Sequence, residues 1–73
     1  MTRNEWLGAF AAELGVAVPD DATIERLLDL AGAAAHASER TAAPIACYLV
    51  GLAGADIATA SAAAESVAPA GGG

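Results

Sequence analysis

The chain has 73 residues, of which 56% are hydrophobic, and nine acidic against three basic side chains give it a formal net charge of −6. That length leaves room for one domain, and the charge repels a phosphate backbone or an anionic membrane surface, which excludes sequence-independent nucleic-acid binding. Much of the apolar content is Ala, and the aromatics are Trp6, Phe10 and Tyr48 alone. A core built from so few large side chains is worth about a few kcal/mol unless a partner or self-association adds buried surface.

Thr2 and Glu5 have the spacing of a capping box, so a first helix is predicted over 3–14. Trp6, Leu7, Phe10 and Leu14 recur at helical spacing, and their simplest role is core packing, with an aromatic ligand platform as the alternative. Gly15 is placed to end the helix in the left-handed conformation. Val16 to Pro19 reads as an extended connector, because Pro fixes its own dihedral and pushes Val18 out of the helical region.

Asp20 or Asp21 caps a second helix, predicted over 22–38. Its apolar stripe is Ile24, Leu27, Leu28, Ala31, Ala34 and Ala35, which narrows to Ala so that another helix can cross closely there. Glu25, Arg26 and Asp29 lie off the stripe as a solvated face. A third helix is predicted over 42–54, capped by Thr41, with Pro44 inside the first turn and Ile45, Tyr48, Leu49 and Leu52 as its main face. Gly51 and Gly54 each cost about 1 kcal/mol within a helix, so close backbone contact or a helix end is their expected reason. Asp56 caps a short fourth helix over 57–67 with a weak stripe of Ile57, Ala60, Ala64 and Val67. Residues 69–73 read as a flexible tail beyond a single helical domain spanning 1–68.

The polar chemistry centres on the junction between the second and third helices. His36 and Arg40 are four residues apart and share a face if the helix continues, and the third helix opens at Thr41. Free amides there, with the Arg40 fork and a His36 donor, would form a tentative anion or partner site of His36, Arg40 and Thr41. The structural alternative has His36 and Arg40 satisfying the last carbonyls of the second helix, with Arg40 also pairing with an acidic residue of the first. His36 and Glu39 have a spacing used in helical metal sites, but there is no second His or Cys to complete one, so neither a metal nor a cofactor is expected. Cys47 lies in an apolar stretch without a nearby cation in sequence and reads as a structural thiol. The sequence carries no phosphate loop, nucleophile elbow or paired carboxylates, and no enzymatic activity is expected.

Residues 42–64 carry one charge, Asp56, and are long enough to span a bilayer, but their Ala and Gly content is too weakly hydrophobic for insertion, so no membrane association is expected. The single Cys and an N-terminus without a basic-then-apolar order point to a cytoplasmic protein.

The ordered set Leu27 to Ala31, Ala35-His36, Arg40, Ala43-Pro44 and Tyr48 to Gly51, with Trp6 and residues 12–15, resembles a small actinobacterial domain of unknown function. That family occurs alone or attached to the C-terminal end of a molybdenum cofactor guanylyltransferase, and the resemblance covers roughly residues 4–54. It implies an accessory role in molybdenum cofactor biosynthesis and no activity of the domain itself. The sequence is therefore expected to form an all-α bundle of four short helices, with the first three as its core. Its expected function is that of a non-enzymatic accessory or protein-interaction module, with a guanylyltransferase or a second copy as partner. A small module binding a nucleotide or pterin phosphate is the alternative.

Overall fold

The computed structural model describes residues 1–67, which form four helices: α1 (Arg3–Leu14), α2 (Asp21–Ala37), α3 (Ala42–Ala53) and α4 (Ile57–Ser66). The small all-α fold is the one the periodicity predicts. The tail expected over 69–73 lies outside the described residues.

Local chemistry sets most of the boundaries. The Thr2 hydroxyl accepts from the Glu5 amide at 3.1 Å, and the Glu5 carboxylate accepts from the Thr2 amide at 2.8 Å, closing the capping box of α1. At its other end Gly15 takes φ 75°, and the amides of Gly15 and Val16 return to the carbonyls of Ala12 and Ala11 in a Schellman arrangement. Asp20 caps α2 through the Thr23 amide at 2.8 Å, and Asp56 caps α4 through the Thr59 amide at 2.7 Å. Gly54, at φ 63°, ends α3.

The cap of α3 differs from expectation. Thr41 itself has helical dihedrals, φ −68° and ψ −15°, and its hydroxyl makes no capping bond. Its backbone is already inside the turn, so the side chain cannot reach back to the first-turn amides as an extended cap residue does.

α2 is the hub, packed against both α3 and α4. The narrowing toward Ala works as predicted: Ala31, Gly32, Ala34 and Ala35 are half-buried on α2, as are Ala42, Ala43, Ala46, Cys47 and Val50 on α3. This arrangement corrects two expectations about the core. The main face predicted for α3 is exposed instead, with Ile45 at 60% and Tyr48 at 66%, because the helix approaches α2 through its small side chains and turns the large ones outward. Helix packing is also centred on α2 with α3 and α4 rather than on the first three helices, although α3 contributes no buried residue; α1 contributes the buried Ala11, and Trp6 and Phe10 are about half exposed.

Leu30, outside the predicted stripe, is the most buried residue, at 4% exposure. It borders a depression shared with Ala33 and with Ser61 and Ala64 of α4. Ala60 of α4 is buried and Ile57, Ser61 and Ala64 are half-buried, whereas Val67 from the predicted stripe is exposed. Among the described residues the buried set is Ala11, Ile24, Leu30 and Ala60.

Candidate functional site

An open apolar groove of about 400 Å³ lies between α1 and the start of α2. Leu7, Phe10 and Leu14 of α1 form one wall, Ile24, Leu27 and Leu28 of α2 the other, and the connector from Val16 to Pro19 closes one end. Ile24 and Ala11 make the buried floor, while Phe10, Leu14, Val16, Val18 and Leu28 are exposed along the sides. Arg3 is the one charged residue of the lining, and its Nε donates to Asn4 Oδ1 at 3.0 Å.

Phe10 stands on a crest. One side of its ring lines the groove, and it also borders a shallow depression with Met1, Trp6 and Glu13. The Trp6 and Phe10 rings stack with centroids 4.9 Å apart and planes inclined by 25°. This pairing fixes the crest at one turn of spacing along α1, a geometry worth about 0.5–1.5 kcal/mol beyond the area it covers. The sequence placed these residues on one face but not at the surface, because periodicity shows which residues share a face and not whether another helix covers it.

The junction residues lie elsewhere. α2 ends at Ala37, so Arg40 is not on the same helix as His36, and both side chains are exposed with Thr41. The Ala42 amide donates to the Glu39 carbonyl at 2.9 Å and the Ala43 amide to the Arg40 carbonyl at 3.2 Å. Pro44 has no amide hydrogen. The turn therefore occupies the donors that an anion at the start of α3 would use. The last turn of α2 is closed by the Ser38 amide on the Ala34 carbonyl, not by the side chains of His36 or Arg40.

Three carboxylates are held below their ordinary range by capping. The Thr2 amide, then its hydroxyl, lowers Glu5; the Thr23 hydroxyl and amide lower Asp20; the Thr59 amide and hydroxyl lower Asp56. Each is fully exposed and occupied at a helix start, a structural employment rather than a catalytic one. Among the described residues no three His, Cys, Asp or Glu side chains gather as a metal set, and no helix is long and apolar enough to cross a membrane.

A family described as a domain of unknown function, DUF6457, matches residues 1–71. The chain belongs to that family. The match extends past the span of the sequence resemblance to include α4, so all four helices are part of the family's unit. No curated protein and no solved structure matches the chain.

Proposed function

We propose that this DUF6457 chain is a non-enzymatic protein-interaction module whose groove between α1 and α2 receives an apolar segment of a partner protein. The observation that carries this reading is the groove itself, about 400 Å³ of apolar concavity with Phe10, Leu14 and Leu28 left exposed along it. The polar side chains support a non-catalytic role, since Thr2, Glu5, Asp20 and Asp56 are committed to helix caps. The resemblance of residues 4–54 to domains attached to a molybdenum cofactor guanylyltransferase supplies the partner to try. It also gives the setting, molybdenum cofactor biosynthesis in an actinobacterial cytoplasm.

Titration of the chain into a molybdenum cofactor guanylyltransferase, followed by calorimetry, tests the reading. Wild type is expected to bind, and Leu28→Asp, at a side chain 49% exposed, is expected to weaken binding at least about tenfold while the circular dichroism stays unchanged. No heat of binding, or equal affinity for L28D, counts against the groove. The anion-binding alternative at His36, Arg40 and Thr41 makes a different prediction. If GMP or inorganic phosphate raises the melting temperature and Arg40→Ala removes the shift, that alternative replaces the interaction module.

A further inference from the structure

The groove between α1 and α2 is apolar inside and acidic along both sides. On α2, Asp21, Glu25 and Leu28 fall at i, i+4 and i+7, so two exposed carboxylates share a helix face with the exposed wall residue Leu28. On α1, Glu13 lies three residues beyond Phe10 and borders the depression on the far side of that ring. Glu13, Asp21 and Glu25 are all exposed, and the carboxylates that cap helices are others, Glu5, Asp20 and Asp56. We infer that the segment the groove receives carries Lys or Arg on both sides of its apolar face. This rests on the reading of the groove as a protein-docking site and adds the chemistry of the occupant.

Charge complementarity selects that occupant. An apolar segment lying in the groove brings its flanking side chains over Glu13 on one side and over Asp21 and Glu25 on the other. Acidic flanks meet like charges there and neutral flanks gain nothing, whereas cations gain an attraction that speeds encounter and fixes how the segment is turned. At exposed positions this attraction is screened by salt, so it governs the choice of partner more than the total affinity. A second copy fits poorly, since its nine acidic side chains outnumber its three Arg, and an anionic lipid surface or a nucleic acid is repelled. Arg3 confines the cations to the sides. It stands in the first turn of α1, about 16 Å of helix from Leu14, beyond which the connector closes the groove. The occupant therefore carries no cation at the Arg3 end.

Trp6, the single tryptophan of the chain, is 52% exposed and stacks on Phe10, so its fluorescence reports on the crest of the groove. The probes are two synthetic peptides of about 14 residues without tryptophan, each about 21 Å long as a helix. Both carry Leu at i, i+3, i+4 and i+7; the flanks are Lys in one and Glu in the other. Titrated into the full chain at low ionic strength, the Lys peptide should bind at least about tenfold more tightly than the Glu peptide, and added salt should shrink the preference. The triple variant Glu13→Gln, Asp21→Asn, Glu25→Gln should bring the ratio below about threefold with circular dichroism unchanged, because all three side chains are exposed. Glu39→Gln with Glu65→Gln, exposed carboxylates that do not border the groove, should leave the preference intact. Leu28→Gln, which changes no charge, should weaken the Lys peptide at least about fivefold.

Equal affinities for the two peptides, both reduced by Leu28→Gln, overturn the basic flanks and leave the groove standing. Binding of neither peptide also overturns the inference, while titration with the guanylyltransferase judges the groove by itself. A Lys preference that the triple variant retains, or that the Glu39 and Glu65 pair abolishes, overturns it too. Binding that Leu28→Gln does not weaken counts against the groove as well as against its basic occupant. Should the triple variant fail to fold, the ratio for the wild type and the response to Leu28→Gln still decide.

Discussion

Asp20 and Asp56 hold their carboxylates against first-turn amides and Glu5 holds its own against the amide of the cap residue Thr2, and this ties the stability of the chain to pH. Each folded-state pKa lies below its ordinary value, 4.5 for Glu5 and 3.8 for the two Asp. Such groups contribute their full stabilisation above the ordinary value and lose it as pH falls through the lowered one. Thermal melts should therefore be flat with respect to these groups above about pH 5 and fall below about pH 4. Asp20→Asn and Asp56→Asn should each flatten that acid limb. A residue-scale test of the core is Leu30→Ala. At 4% exposure it should cost about 2–5 kcal/mol, enough to unfold a domain of this size, whereas Leu28→Ala should cost far less; chemical denaturation measures both. Leu30 was illegible in the sequence because it sits outside the Ile24-Leu27-Leu28-Ala31 stripe. A helix that touches two neighbours has two buried faces, and a single-stripe reading finds one.

At the scale of elements, helix starts and stops were the most legible part, because caps are local. Thr2 with Glu5, Gly15, Asp20 and Asp56 each satisfy backbone groups within a few residues, so no distant contact is needed to place them. Thr41 is the exception, since the tight turn from Ser38 draws its backbone into helical dihedrals before its hydroxyl can cap. Orientation was less legible than position. α3 carries two apolar faces, one small and one large, and periodicity favours the larger, but helices approach most closely through small side chains and the Ala end of α2 selected the small one. The same ambiguity hid the groove, which depends on how the connector from Val16 to Pro19 sets α1 against α2. At the junction of His36, Arg40 and Thr41 the turn carbonyls of Glu39 and Arg40 take the amides of Ala42 and Ala43, a local bonding pattern that residue spacing does not show. Gly8 gives an element-scale prediction: it is exposed inside α1 with nothing within 4 Å of an added Cβ, so Gly8→Ala should stabilise by about 1 kcal/mol in denaturant titration. Gly15→Ala, at φ 75°, should destabilise by about 1–2 kcal/mol in the same assay.

The whole molecule is short of burial. Ala11, Ile24, Leu30 and Ala60 are its buried residues among those described, and two of them are Ala, whose contribution to the hydrophobic term is small. Association that covers the groove therefore stabilises the fold as well as forming a complex, and the melting temperature should rise with partner concentration. The measurement that tests the interaction module most directly is light scattering of the eluting chain, alone and mixed with a molybdenum cofactor guanylyltransferase. The account predicts co-elution with the enzyme when the two are mixed, at a mass greater than that of the enzyme alone by the 7.1 kDa of one chain or a multiple of it. A chain that elutes apart from the enzyme would contradict it.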